Sequence, residues 1–262
     1  MKPIEELVSR GDITFTGDGR IAVAGLALDL MQWLDRQIVN LADEARQLQF
    51  PSVIAGEVLE RANYFDSFPK GATRVEAGDR PAFLSPAVCY HCFAHFAGMK
   101  LDEPLCLSCQ GKCYRNETGA TPAIGRLWEF TMRELIFIDR GEIVRQRREK
   151  TMNNVRRLAD SIGLNTRLEL ASDPFFGAIG RGRKLLQQVK ELKYELVTAM
   201  PDGSNLAIAS FNLHETFFTS RFGIAMASAS ETHSGCVAFG LERWMLALIG
   251  QRGREKCAQL CS

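Results

Sequence analysis

Residues Cys113–Phe137 carry arginines, carboxylates and aromatic rings in the pattern of a strand, a turn and a second strand. Arg115 and Glu117 are two positions apart, so on a strand both side chains point to one face. Residues 118–122, T-G-A-T-P, are typical of a turn. The return arm carries Arg126, Glu129, Phe130 and Glu134. Arginines bind phosphates, and a carboxylate and a flat ring suit adenine, so the hairpin indicates a nucleotide site. The residues alone also fit an ordinary amphipathic hairpin with paired charges.

A second group of reactive side chains precedes the hairpin. Cys89-x2-Cys92 followed by Cys106-x2-Cys109 matches the spacing of a structural four-cysteine zinc site. The surrounding sequence is apolar and aromatic, unlike a zinc knuckle, and buried free cysteines are common. A four-cysteine zinc site and a set of buried thiols therefore both stay open.

The whole chain sets bounds on these interpretations. Its 262 residues could form one domain or two. With 32 Lys and Arg against 31 Asp and Glu, the net charge is +1, which excludes binding of nucleic acid through overall charge but not through a local patch. No apolar run has the length of a membrane span. Acidic residues within Met1–Asp12 stand where a signal peptide would be basic, so we expect a cytoplasmic protein. In a reducing compartment the eight cysteines would be thiols or metal ligands.

The first half of the chain reads as helices and short strands. Apolar residues at helical spacing predict one long helix over Ala22–Gln49, which Pro51 would end. A short helix is predicted over Gly56–Tyr64. Arg74–Ala77 and Ala82–Ser85 are predicted to form strands of a small antiparallel element.

The second half alternates basic helices with strands. Gly141–Ile162 is predicted as a helix with six Arg and Lys side chains, a pattern that a solvated helix face explains. After a turn at Asp173–Gly177, a basic loop and helix carry Arg181, Arg183, Lys184 and Lys190. Strands are predicted at Arg167–Leu170, Lys193–Ala199, Asn205–Phe211, Phe222–Ala225 and Cys236–Gly240. The last strand runs directly into a helix over Leu241–Ile249, with Arg243 in its first turn.

This closing junction and the hairpin together resemble the class II aminoacyl-tRNA synthetase catalytic domain. The family's second motif matches Tyr114-Arg115-Asn116-Glu117 with its return strand, and its third matches Phe239-Gly240-Leu241-Glu242-Arg243. The first motif, a helix leading to a strand with a proline, matches the helix that ends before Pro51. The resemblance extends from about Ala22 to Ile249. It implies an α+β fold with an antiparallel sheet flanked by helices, and one catalytic domain over 1–262 without a coiled-coil or anticodon-binding domain.

Within that class, R-L-W-E-F-T-M-R-E and S-F-N-L-H look closest to the atypical, zinc-dependent seryl branch. A truncated group with this pattern is the amino acid:carrier-protein ligases. This resemblance implies a homodimer that uses ATP, Mg²⁺ and Zn²⁺ to activate a small amino acid, glycine or alanine, as an aminoacyl-adenylate. The amino acid would pass to the phosphopantetheine thiol of an acidic carrier protein rather than to tRNA. Two alternatives stay open: a seryl-tRNA synthetase-like enzyme acting on tRNA, and a non-catalytic zinc protein with the four-cysteine site.

The resemblance also implies roles for individual residues. Arg115 would contact the α-phosphate of ATP and Glu117 the adenine amino group. Phe130 would stack on one adenine face, and Arg243 would cover the other and reach the γ-phosphate; Arg126 is a further expected ATP contact. Zinc would be bound by Cys89, Glu134 and Cys236, with an open position for the substrate's α-amino group.

The remaining expected contacts concern the amino acid and the carrier. Glu195 and Asn212 are candidate substrate contacts. Ala238 would lie on the same side of its strand as Cys236, so its methyl group would narrow the amino-acid pocket and favour glycine first, alanine second and serine third. Arg181, Arg183 and Lys184 would form the basic surface that binds the carrier, in preference to the helix at Gly141–Ile162.

Overall fold

The structure, a computed structural model, describes residues 2–17, 19–42, 44–76, 78–116, 125–171 and 191–261. The α-helices in these ranges are α1 Lys2–Ser9, α2 Gly25–Val39, α3 Gly56–Arg61, α4 Tyr64–Ser67, α5 Cys89–His95, α6 Gly141–Ser161, α7 Phe217–Phe222 and α8 Leu241–Cys261, with a 3-10 turn at Asn40–Ala42. The strands are β1 Ile13–Phe15, β2 Ile21–Val23, β3 Arg46–Gln49, β4 Val53–Ala55, β5 Arg74–Val75, β6 Ala82–Leu84, β7 Lys100–Leu101, β8 Leu105–Tyr114, β9 Glu129–Asp139, β10 Thr166–Leu170, β11 Lys193–Ala199, β12 Asn205–Glu215, β13 Ala225–Met226 and β14 His233–Gly240.

A seven-stranded sheet organises the fold. Its strand order is β10-β11-β12-β14-β9-β8-β3, and every neighbouring pair is antiparallel except β3 and β8, which are parallel. The long strands β8, β9, β12 and β14 carry apolar side chains on both faces of the sheet. Both faces are therefore covered by other elements. The α+β class and the antiparallel sheet flanked by helices are therefore confirmed.

Each face of the sheet packs against its own core. On the back face, α1, α2, α6 and α8 bury odd-numbered residues of β9 and β14, such as Leu135 and Val237. On the front face, α3, α4, α5 and α7 pack against even-numbered residues, such as Ile136 and Cys236. The cavity described below opens on this front face.

One buried ion pair ties helix α2 to the sheet. Arg133, on the back face of β9, is 6% exposed. Its Nε and Nη2 each donate to one carboxylate oxygen of Asp35 on α2, both at 2.7 Å, and its Nη1 donates to Ser108 Oγ at 3.2 Å. Bidentate Arg–carboxylate pairs of this kind fix orientation as well as distance. Helix α2 is thus held to the residue directly before Glu134.

Most predicted elements are confirmed. The hairpin is formed by β8 and β9, the basic helix is α6, and β11 has the bounds predicted for it. Gly163, two residues after the end of α6, has φ +75°, a left-handed conformation that commonly terminates a helix. None of the helices in the described ranges is both long and apolar enough to cross a membrane.

Two predicted elements are wrong. The helix predicted over Ala22–Gln49 ends at Val39, and Arg46–Gln49 forms strand β3. The strand is stabilised by pairing with β8, and the polar sequence R-Q-L-Q does not indicate this pairing. Of the strand predicted over Phe222–Ala225, only Ala225 is in a strand, β13. Phe222 instead ends helix α7, and Gly223 follows in a left-handed conformation, φ +65°. Its aromatic residues pack as a helix against Phe93, a tertiary contact that strand propensity does not contain.

Candidate active site

Two rows of side chains on neighbouring strands form the floor of a front-face cavity of about 290 Å³. The strand register places Lys193, Asn212 and Cys236 side by side on β11, β12 and β14. The adjacent row consists of Glu195, Ser210, Ala238 and Glu134, across β11, β12, β14 and β9. We call these the first row and the second row. The second row is one register step nearer the start of helix α8.

Two arginines and an aromatic ring line the end of the cavity near α8. The Arg115 guanidinium lies over the Phe130 ring, 5.3 Å from its centroid, and its Nε donates to the Pro86 carbonyl at 3.1 Å. Arg243 donates from Nε to the Gly125 carbonyl at 2.9 Å and from Nη1 to the Ala207 carbonyl at 3.0 Å. The structure therefore brings three of the residues predicted to bind ATP to one end of one cavity.

The three residues predicted to bind zinc meet at the boundary of the two rows. The Cys89 thiol, at the start of α5, is hydrogen-bonded to Cys236 and to Glu134, and both bonds affect the pKa values of the groups that they join. The bond to Cys236, with burial and the nearby Glu134 charge, raises the pKa of Cys89 well above its ordinary value. The same bond, aided by His214 and Asn212 and opposed by burial, lowers the pKa of Cys236 well below its ordinary value.

Glu134 is the least satisfied member of this group. It is 2% exposed, and its Oε2 is buried without a hydrogen-bond partner among the described residues. Burial raises the pKa of its carboxyl well above the ordinary range, and the neighbouring Cys236 adds to that effect. A buried carboxylate oxygen without a hydrogen-bond partner is costly in free energy, so Oε2 of Glu134 is placed to bind a cation.

The described residues contain no group of three or more His, Cys, Asp or Glu side chains spaced to hold a metal ion as they stand. Cys89 and Cys236 are instead hydrogen-bonded to each other, a contact that raises the pKa of Cys89 and lowers that of Cys236. The donor set still suits zinc, since it combines two sulfurs, one with a depressed pKa, and an unsatisfied carboxylate oxygen. These residues suit zinc in the kinds of donor atom that they offer, although the described side chains are not spaced as a metal site.

The alternative four-cysteine zinc site is wrong. Cys106 and Cys109 are three residues apart on strand β8, so their side chains point to opposite faces of the sheet. Cys106 lies on the back, 4.0 Å from Glu44, whereas Cys109 is in the front core, where Cys92 donates a hydrogen bond to it. Four sulfurs split between two faces of one sheet cannot bind one ion.

Lys193, Ser210 and His214 line the cavity beside residues that the sequence predicted, but were not themselves predicted. Lys193 pairs with Glu195, with Nζ 2.9 Å from Oε1, so the predicted substrate acid has a cationic neighbour. Asn212 donates to Cys236 Sγ at 3.4 Å and to Ser210 Oγ at 3.2 Å. His214 Nε2 lies 3.5 Å from Cys236 Sγ. The strand register could have revealed these neighbours, but register is not visible in one sequence.

Tyr64 forms a further part of the wall. It follows Asn63, whose backbone is left-handed at φ 58°, and burial raises its pKa to about 12 although the charge of Arg115 acts against this. Asn63 and Tyr64 carried no signal in the sequence beyond the end of a short helix.

Five predicted contact residues are either outside the described residues or not part of the cavity wall. Glu117, Arg181, Arg183 and Lys184 are outside the described residues. Arg126 is exposed and is not part of the cavity wall. Glu195, Asn212 and Ala238 do line the cavity, Ala238 between Ser210 and Glu134.

Comparison with known proteins matches the sequence and the fold to one class. The family model of the tRNA synthetase class II core domain (G, H, P, S and T) matches residues 74–252. The chain is 29% identical over 285 residues to amino acid--[acyl-carrier-protein] ligase 1 of Bradyrhizobium diazoefficiens, covering 98% of this chain and 87% of that protein. It is 30% identical over 245 residues to ligase 2 of the same organism, covering 82% and 72%.

A solved structure gives the same fold. M. kandleri seryl-tRNA synthetase, in complex with A. aeolicus tRNASec, superposes with a TM-score of 0.84 at 21% identity. The match covers 98% of this chain and 59% of the synthetase, so the chain spans well under two thirds of that protein.

Proposed function

The chain belongs to the family of class II tRNA synthetase core domains and is a ligase; from this premise we propose that it activates glycine or alanine with ATP and transfers it to the phosphopantetheine thiol of a carrier protein. Relatives named amino acid--[acyl-carrier-protein] ligases support the general reaction. Class II synthetase-like ligases use ATP and Mg²⁺. The choice of amino acid and of metal is proposed from the residues that line the cavity.

The observation that carries the proposal is the arrangement of one cavity with two chemically different ends. Arg115, Phe130 and Arg243 supply cations and a ring at one end, which suits phosphates and adenine. Cys89, Glu134 and Cys236 stand at the other end, where a small polar substrate would be bound. An amino acid carboxylate placed between the ends would lie next to the α-phosphate of bound ATP.

The reaction then has two steps. A carboxylate oxygen attacks the α-phosphorus, a P–O bond forms, and the bond to pyrophosphate breaks. Arg115 would stabilise the negative charge that grows on the α-phosphate oxygens, and Arg243 would hold the departing phosphates, whose charge Mg²⁺ would also neutralise when bound. The acceptor sulfur next attacks the aminoacyl carbonyl carbon, a C–S bond forms, and the C–O bond to AMP breaks. The thiol proton passes to the departing phosphate or to water.

Zinc would be bound by Cys89, Glu134 and Cys236, where its open position would hold the substrate's α-amino group. Displacing the proton of the Cys89 thiol, which is hydrogen-bonded to Cys236, would free both sulfurs as ligands. Asn212 and His214 orient the Cys236 sulfur through contacts at 3.4 and 3.5 Å. Glu134 Oε2 would gain the partner that it lacks among the described residues.

The carrier-binding surface is proposed from charge in the sequence. Arg181, Arg183 and Lys184 precede strand β11, whose Lys193 and Glu195 line the cavity. An acidic carrier would be attracted to such a segment. Reversing Arg183 and Lys184 to Glu should weaken aminoacyl transfer and leave adenylate formation intact. Unchanged transfer would refute this surface, and equal loss of both steps would indicate a folding defect.

Two assays test the proposed function. ATP–pyrophosphate exchange is measured with glycine, alanine and serine, and the activated enzyme is then offered a holo carrier protein or tRNA. We expect exchange with glycine above alanine, and a thioester on the carrier but no ester on tRNA. Exchange with serine followed by transfer to tRNA would establish the seryl-tRNA synthetase-like alternative. Absence of exchange with every amino acid would refute the proposal.

A further inference from the structure

A buried carboxylate lies directly behind the ATP end of the cavity. Strand β14 ends at Gly240, which pairs with Met132, and helix α8 begins at the next residue. Strand β9 continues for three more residues beyond Met132 toward its start, and on that side β14 offers no further partner. The first residue past the end of the pairing is Thr131. Its backbone N–H needs an acceptor that the sheet no longer supplies.

Glu242 supplies that acceptor from the first turn of α8. The Thr131 N–H donates to both carboxylate oxygens, at 2.8 and 2.7 Å, and the Thr131 hydroxyl donates to Oε1 at 2.8 Å. Glu242 is 3% exposed, and Lys112 Nζ, on the neighbouring strand β8, lies 3.6 Å from Oε1. We call Glu242, Thr131 and Lys112 the Glu242 clamp. The carboxylate replaces the missing strand and joins α8 to β9.

The two sequence neighbours of the clamp are the ATP-facing side chains. Phe130 precedes Thr131, and Arg243 follows Glu242. Thr131 points to the back of the sheet, like Arg133 and Leu135, so Phe130 points to the front, where it lines the cavity with Arg243. The clamp therefore joins the two segments that carry the ring and the guanidinium, which would enclose adenine from its two faces.

We propose that Glu242 is a positioning residue for ATP, which sets the separation of Phe130 and Arg243 by clamping the start of α8 to Thr131. The inference rests on the proposed ATP-dependent activation. It does not involve the amino-acid end of the cavity, because Cys89, Glu134 and Cys236 make none of the clamp's contacts. Loss of the clamp should weaken ATP binding and spare amino-acid binding.

The test is a set of kinetic constants from pyrophosphate exchange. Glu242→Ala should raise the KM for ATP about tenfold or more and leave the KM for the amino acid within about twofold. Glu242→Gln keeps one oxygen for the Thr131 N–H and can donate to the Thr131 hydroxyl, so it should restore most of the ATP affinity. Thr131→Val removes the hydroxyl bond and keeps the N–H bond, and should lie between them.

A matched control is Glu129→Gln. It also removes a carboxylate that faces Lys112, with Nζ 3.6 Å from Oε1, but it leaves the Glu242 clamp intact. We expect both KM values of this variant to stay within about twofold of wild type. A melting temperature of each variant separates loss of stability from loss of position, because a purely structural role would lower stability without separating the two KM values.

The outcomes are distinct. If Glu242→Ala exchanges pyrophosphate with an unchanged KM for ATP, or with equal increases in both KM values, the positioning role is overturned while the proposed function stands. If the wild-type protein gives no exchange with any amino acid, the proposed function fails, and the role of Glu242 toward ATP fails with it.

Discussion

Replacing Ala238 by glycine should change which amino acid the protein activates. Ala238 is the small residue of the second row, paired with Ser210 on one side and Glu134 on the other, two residues after Cys236. A substrate whose α-amino group is held beside Cys236 and Glu134 would have its Cα above this position. The Ala238 methyl group would then occupy the space that a substrate side chain needs, and Ala238→Gly would vacate it.

The size of the effect follows from the volume of one methyl group. One carbon in a substrate pocket discriminates by roughly 1–3 kcal/mol, or about 10- to 200-fold. The cavity is open on its solvent side, so we take the lower end and expect the alanine-to-glycine ratio of kcat/KM to rise about tenfold. A glycine within a strand should also cost about 0.5–1 kcal/mol of stability, too little to unfold the protein.

The assay is pyrophosphate exchange with glycine, alanine and serine on wild type and Ala238→Gly. Ala247→Gly is the matched control: it makes the same chemical change at a fully buried position on α8, outside the cavity wall, and should leave the ratio unchanged. A ratio that stays constant in Ala238→Gly would show that Ala238 does not limit the substrate. A wild type that prefers serine would refute the pocket geometry altogether.

Four further expectations can be checked directly. Elemental analysis should find about one zinc per chain, absent from Cys236→Ala and retained by Cys109→Ala; retention of the metal by Cys236→Ala would exclude the proposed ligands. Arg115→Ala should slow exchange about 100-fold or more, since it removes a charge contact made in the transition state, and near-normal exchange would remove Arg115 from the mechanism. Light scattering should give twice the chain mass, for a twofold dimer through α2 and β3, whereas a fully active monomer would contradict it. Burial raises the pKa of Cys257 to about 11. The stability advantage of wild type over Cys257→Ala, measured by denaturant titration, should therefore be constant below pH 9 and fall by about 2–3 kcal/mol as the pH rises to 11. An advantage that does not change over that interval would show that Cys257 is not buried as a thiol.

The parts of the fold that could be predicted are those with local signals. The hairpin of β8 and β9 has turn residues between two alternating strands, and the β14–α8 junction has a glycine followed by a helix-forming sequence. These two elements carry Arg115, Phe130 and Arg243, so the ATP end of the cavity could be inferred from sequence motifs. Strand β3 could not be predicted in this way, because its structure depends on pairing with β8.

The rest of the site depends on register, which no single strand contains. Lys193 next to Asn212, and Ser210 next to Ala238, are neighbours because β11, β12 and β14 pair with particular offsets and with a bulge between Leu196 and Val197. A shift of one residue would turn these side chains to the other face. The same argument explains why the prediction of a four-cysteine site is wrong. The spacing of the cysteines along the sequence does not show that Cys106 and Cys109 of β8 lie on opposite faces of the sheet.

The ion pair between Arg133 and Asp35 gives the sheet a mechanical connection to α2. Arg133 stands between Met132 and Glu134, which both line the cavity, so a shift of α2 must move the cavity floor or break two 2.7 Å bonds within a buried site. If α2 carries the subunit contact, association of two chains and occupancy of the cavity become thermodynamically linked. Linkage is reciprocal: a ligand that stiffens β9 would lower the dimer dissociation constant by the same factor by which dimerisation raises the affinity for that ligand. Dilution would then weaken substrate binding before it unfolds the protein.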